Sequence, residues 1–133
     1  MRMTLTLDFQ YAATTIEKLR AALTDPEKLA KWGMENNFKP EVGYRFQFRQ
    51  KPTEWWDGIV EGEVLIVDEP NKLSYMWGSA GEKHTVVWTL QELGGGKVNL
   101  HLEQSGISNV QALHGAKYGW NAMGGELEKL LAQ

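Results

Sequence analysis

Most of this 133-residue chain alternates apolar with polar side chains, and only its last stretch changes to a helical period. That contrast limits the fold more than any other feature. A period of two puts successive side chains on opposite faces of a strand, whereas a period near 3.6 draws a stripe along a helix. Leu5, Leu7 and Phe9 alternate with Thr4, Thr6 and Asp8, and Tyr44, Phe46 and Phe48 with Arg45, Gln47 and Arg49. A third run goes from Gly58 to Val67. Leu73, Tyr75 and Trp77 form a fourth, Val86, Trp88 and Leu90 a fifth, and Val98, Leu100, Leu102 and Gln104 a sixth. Short turn segments separate the later ones: Asp68-Glu69-Pro70-Asn71, Ser79-Ala80-Gly81 and Gly94-Gly95-Gly96. Strands spaced this closely predict an antiparallel meander of six or seven strands.

Two short helices are predicted after the first strand. Thr14 stands three residues before Glu17, the spacing of a capping box, and opens a helix with Ile16, Leu19 and Leu23 on one face. Thr24-Asp25-Pro26-Glu27 repeats the start signal, with proline in the first turn, and leads into Lys28, Leu29 and Trp32. Ser108 is the expected cap of the last helix, which runs to about Leu131. Leu113, Lys117, Trp120, Gly124, Leu127 and Leu131 fall on one stripe, and Tyr118 lies off it. The expected fold is therefore α+β, a curved antiparallel sheet around a long C-terminal helix, as one domain over residues 1–133.

Composition removes several classes of function. The apolar fraction of 42% and charged fraction of 23% suit an ordinary globular chain. A net charge of −3 with both signs scattered leaves no basic stripe, so no nucleic-acid partner is expected. The chain has no cysteine, which excludes disulfides and thiolate metal sites. No apolar run reaches the length of a membrane span or signal peptide, and a cytoplasmic location is the expectation.

Large rings dominate the predicted inner faces. Phe46, Phe48, Tyr75, Trp77 and Trp88 alternate inward on strands, Trp120 projects from the last helix, and Trp32 from the helix pair. Aromatic residues fill any core well. A sheet curved around one helix, however, leaves a wedge where the two diverge, and either rings or a ligand must occupy it. Gln104 continues the inward register of its strand, so its amide needs buried partners or a ligand. Gly124-Gly125 in the helix interior costs about 1.5–2 kcal/mol relative to alanine. Close approach to an inward ring is one explanation of that cost, and a hinge or clearance for a ligand is the other. These nine residues, Gly124 included, are the candidate ligand-binding set.

No metal, cofactor or catalytic residue is expected. His84, His101 and His114 have no ligand spacing and join no acid cluster, although His84 sits at a strand start and could fall on the inner face. Gly94-Gly95-Gly96 precedes a strand and not a helix, so it reads as a hairpin and not a phosphate loop. Trp55-Trp56 lies in a loop, either folded back as a lid or kept for a contact.

Several motifs together resemble a known group. Thr24-Asp25-Pro26-Glu27-Lys28-Leu29-Ala30-Lys31-Trp32, Gly43-x-x-Phe46, and Gly62-x-Val64-x-x-Val67-Asp68-x-Pro70 resemble the START-like, helix-grip (SRPBCC) superfamily. Leu73-x-Tyr75-x-Trp77, Ser105-Gly106 and Gly119-Trp120 with Leu127 extend the match. Within it the chain is similar to the branch named after the activator of the heat-shock chaperone ATPase. The resemblance implies the helix-grip fold of the birch-pollen-allergen type, with an apolar cavity between sheet and helix. It also implies binding of lipids, polyketides or other apolar molecules. The expected function is thus binding of a small apolar molecule without covalent chemistry, by a monomer or homodimer. The alternatives are a module that engages a chaperone ATPase, and a cyclase or hydrolase using His84 or a tyrosine as general acid–base.

Overall fold

The computed structural model describes residues 2–54 and 56–133. Among them seven strands form one sheet: β1 (Met3–Tyr11), β2 (Glu35–Asn36), β3 (Arg45–Arg49), β4 (Ile59–Asp68), β5 (Lys72–Ser79), β6 (Glu82–Gly94) and β7 (Lys97–Ile107). Helices α1 (Ile16–Thr24) and α2 (Pro26–Trp32) follow β1, and α3 (Val110–Leu131) ends the chain. Every neighbouring pair of strands is antiparallel, in the order β1-β7-β6-β5-β4-β3-β2.

Only β2 to β7 make the expected meander. The chain leaves β1 through the helix pair and starts the sheet again at the opposite edge, so β1 ends up paired with β7. A two-residue strand such as β2 carries no readable period, and it was not among the six apolar runs. Register shifts at Met3/Thr4, Val64/Ile66 and Glu92/Gly94 mark bulges, which bend strands and give the sheet its curve. The β6–β7 hairpin closes through Gly95 and Gly96, whose φ values of 63° and 76° are those of a tight turn suited to right-twisted strands.

Two helix starts fall one residue later than the sequence suggests. Thr15 caps α1 by accepting from Lys18 N at 3.2 Å, while Thr14 is buried and its backbone N–H donates to Gly96 O. Asn109 caps α3 by accepting from Ala112 N at 2.8 Å, and Ser108 donates its hydroxyl to Glu82 instead. Both neighbours are good caps, and tertiary partners decide between them. Asp25 caps α2 as its sequence signal implies, accepting from Glu27 N at 3.0 Å.

The core lies between the concave face and the helices. Trp88 is 1% exposed and meets Trp32 and Trp120 edge-on, with centroids 6.5 and 5.1 Å away. Phe38, Phe46, Phe48 and Tyr75 form a second cluster with centroids 4.8–6.2 Å apart. Each such pair adds about 0.5–1.5 kcal/mol beyond its buried area. Burial pushes the Tyr75 phenol well above its ordinary range, and burial followed by Glu128 does the same to Tyr11.

Only the second half of α3 packs down. Trp120, Gly124, Leu127 and Leu131 are buried, whereas Leu113 is half-buried and Lys117 exposed, which corrects the longer stripe. Gly124 sits where the helix touches β1. A Cβ there would stand 2.5 Å from Phe9 Cε1, and the Tyr11 hydroxyl donates to the Gly124 carbonyl at 3.0 Å. At exposed Gly125 a Cβ would meet nothing within 4 Å. Opposite responses are expected in urea unfolding: Gly125→Ala gains about 1 kcal/mol of helix propensity, and Gly124→Ala loses about 1–2 kcal/mol net through overpacking. Equal shifts at both positions would contradict this packing.

Candidate functional site

The site grows from the β5–β6 hairpin. Its two-residue turn, Ala80-Gly81, has positive φ at both positions and sets Ser79 opposite Glu82 and Trp77 opposite His84. Strand alternation then places all four on the concave face, in phase with Tyr75, Val86 and Trp88. On β7, Gln104 pairs with Val86 and so falls diagonally beside His84. Above them the first half of α3 presents a wall of small residues, Ala112, Gly115, Ala116 and Gly119, before Trp120 and Met123. Met34 and Trp56 close the side. The recess, open to solvent on one side, measures about 430 Å³.

A directed chain of hydrogen bonds runs along its floor. Trp120 Nε1 lies 2.7 Å from Gln104 Oε1. An indole N–H can only donate, so the amide oxygen must face Trp120 and the amide nitrogen must face His84 Nδ1, at 2.8 Å. Nδ1 therefore accepts, the ring proton sits on Nε2, and that N–H donates to Glu82 Oε1 at 2.9 Å. Glu82 also accepts from the Ser108 hydroxyl and from Ser108 N. The Ser108 hydroxyl, and then His84, hold the Glu82 carboxyl down at about 2. A proton on Nδ1 would point at the Gln104 amide donor, so this relay uses Nδ1 as its acceptor.

The predicted residues divide by position. Trp77, Gln104 and Trp120 line the recess. Trp32, Phe48 and Tyr75 stand behind them around a void of about 10 Å³, room for one water at most. Trp32 donates Nε1–H to Ala22 O, and Tyr75 accepts from Trp88 Nε1 at 2.8 Å. Trp88 supports Trp120 from below, Phe46 belongs to the second aromatic cluster, and Gly124 lies further along the helix against Phe9. Trp56 is half-buried in the recess wall, and its Nε1–H has no acceptor among the described residues. Trp55 lies outside the described residues.

Glu82, Ser108 and the small-residue wall were absent from the predicted set. Glu82 shares the phase of His84, Val86 and Trp88, which is the signal that could have found it. Small residues at 112, 115, 116 and 119 recur at helical spacing, yet what they contribute is empty space, which no residue type announces. His101 pairs instead with Asp8 on the outer side, 2.9 Å away. The outer face also carries an open depression of about 540 Å³ between Arg45, Glu61, Glu63 and Lys83, where Arg45 and Glu63 pair at 3.3 Å in solvent. Such exposed pairs are worth little. No cluster of three or more metal-ligating side chains occurs among the described residues, and no helix is long and apolar enough to cross a membrane.

A curved antiparallel sheet gripping one long helix, with a recess where they part, defines a helix-grip domain of the START-like class. The chain belongs to the family described as Activator of Hsp90 ATPase homolog 1-like protein, whose family model matches residues 13–132. No curated protein matches it significantly. Among solved structures, protein MLL2253 from Mesorhizobium loti is similar at 35% identity and TM-score 0.86, over 98% of this chain and 97% of that one. CalU16 from Micromonospora echinospora shares the fold at 22% identity and TM-score 0.82, over 96% of this chain and 65% of that one. Protein BH1534 from Bacillus halodurans does so at 24% identity and TM-score 0.78, covering 98% of each chain.

Proposed function

We propose that this protein binds a small, largely apolar molecule in the recess between β5–β7 and the first half of α3, without covalent chemistry. One observation carries the reading. A Cβ at Gly115 or Gly119 would meet nothing within 4 Å, yet both glycines sit in a helix and line the recess. Each costs about 1 kcal/mol of helix stability relative to alanine, and packing does not require either. Room for a ligand explains them. Gly125 has the same freedom on the solvent side, and Gly115 at the recess rim is exposed as well, so the argument rests chiefly on half-buried Gly119.

The volume of about 430 Å³ agrees with this use, since ligand sites run from roughly 300 to 1,000 Å³. Burying about 200 Å² of apolar ligand surface contributes roughly 5 kcal/mol before ordering costs. The unpartnered Trp56 N–H adds a reason for a ligand oxygen or water in the recess. In this reading Trp77, Trp120 and Gln104 touch the ligand, while Trp32, Phe46, Phe48, Tyr75 and Trp88 form the rigid floor. His84 has both ring nitrogens committed, which favours a positioning role over general-base catalysis. A chaperone-engaging role finds less support, because Trp56 lines the recess wall.

Filling the recess tests the proposal. Gly119→Leu is expected to leave the melting temperature unchanged or higher and to weaken binding of apolar ligands at least about tenfold, read by tryptophan emission and calorimetry. The same affinity in Gly119→Leu, or no response of the wild type to a broad panel of lipids and aromatic polyketides, would overturn it.

A further inference from the structure

The recess carries an unusual charge arrangement for an apolar site. Of the residues that line it, Glu82 is the one carboxylate and none is Lys or Arg, while both ring nitrogens of His84 are committed to Glu82 and Gln104. The Glu82 carboxylate is held by the Ser108 hydroxyl, Ser108 N–H and His84 Nε2–H. Its negative charge is therefore hydrogen-bonded, with no Lys or Arg among the lining residues to neutralise it. Lys83, the next residue, lines the depression on the opposite face of the sheet.

Three indoles line the same recess as that charge. Trp77 is diagonal to Glu82 across the β5–β6 pair, a separation of about 7–8 Å. The rings of Trp77 and Trp120 are tilted 55° to each other with centroids 5.2 Å apart, and Trp56 adds a third indole to the wall. The electron-rich faces of indoles attract cations, and more strongly where water is excluded.

Resting on the binding role proposed above, we infer that the recess selects amphipathic cations, an apolar or aromatic body carrying an amine or quaternary ammonium, with the cation between Glu82 and the indoles of Trp56, Trp77 and Trp120. Fatty acids and other apolar carboxylates are disfavoured, because their anion would approach Glu82 with no Lys or Arg to receive it. The low pH at which Glu82 takes its proton keeps this preference in force at neutral pH.

Three probes with one body separate this inference from the binding role itself: 2-naphthylmethylamine, 2-naphthylmethanol and 2-naphthoate, titrated by calorimetry near pH 7. The amine is expected to bind about tenfold or more tightly than the alcohol, with the carboxylate weakest. Salt at about 0.5 M should weaken the amine and leave the alcohol unaffected. Glu82→Gln, which keeps an oxygen for Ser108, should bring amine and alcohol within about threefold. An alcohol that equals the amine, or a carboxylate that binds most tightly, overturns the charge preference and leaves apolar binding standing. Failure of all three probes removes both readings. Should Glu82→Gln not fold, the wild-type salt series decides: amine affinity that ignores salt rejects the role of Glu82.

Discussion

Trp88→Ala is expected to lower the free energy of unfolding by about 3–5 kcal/mol, the range for deleting a large buried ring. For a chain of 133 residues that corresponds to a fall of roughly 10–20 °C in melting temperature. Trp88 is 1% exposed and stands between Trp32 and Trp120, so its loss leaves a cavity touching both helical layers. Its Nε1–H also donates to the buried Tyr75 hydroxyl, which would lose that partner. Trp88→Phe should fall between the two, keeping an aromatic edge but leaving part of the volume empty. Calorimetric melting of the three proteins checks the order, and a loss below about 1.5 kcal/mol for alanine would show that the site collapses around the deletion. Because Trp120 rests on Trp88, the apolar binding proposed above should weaken together with stability.

The second large effect is expected at Gln104. Gln104→Leu nearly keeps the side-chain shape but strands two polar groups, the Trp120 N–H and the His84 Nδ1 lone pair. Each unsatisfied buried group costs about 1–3 kcal/mol, so a loss of about 2–4 kcal/mol is expected in urea unfolding. Trp120→Phe removes the stranded indole donor. The double variant should therefore lose less than the sum of the two single variants, with a coupling of about 1–3 kcal/mol. A neutral Gln104→Leu would mean that water already serves these groups and that the relay contributes nothing to stability.

Much of the architecture was legible because its causes are local. Leu73, Tyr75 and Trp77 share a face because adjacent residues on a strand point to opposite sides, and the buried set follows that rule on β6 and β7, while on β5 Ser74 is buried as well. The hairpin at Gly94-Gly95-Gly96 was legible because glycine alone adopts positive φ freely. Asp25 and Pro26 marked α2 for equally local reasons. The caps of α1 and α3 slipped by one residue because Thr14 and Ser108 have partners far away in the chain, Gly96 and Glu82. Phe38 escaped notice for a similar reason: it lies in an irregular segment between β2 and β3, and only the rings of Phe46, Phe48 and Tyr75 make it core.

The candidate site was half legible. The alternation on β7 placed Gln104 inward, and the period on β6 left His84 able to fall there, but nothing in either strand announces that the two side chains meet. Their contact depends on the β6–β7 register, and the contact to Trp120 on how α3 crosses the sheet.

By itself the sequence determined the elements, the inward face of each strand, the turns and the number of large rings available to a core. These are short-range matters, governed by backbone dihedrals and by the spacing of side chains a few residues apart. Tertiary structure alone decided that β1 closes against β7, that α3 parts from the sheet at its small residues, and that Glu82, His84, Gln104 and Trp120 form one chain of hydrogen bonds. Those outcomes join residues distant in sequence, and a side chain's local pattern carries no record of the neighbour that folding brings to it.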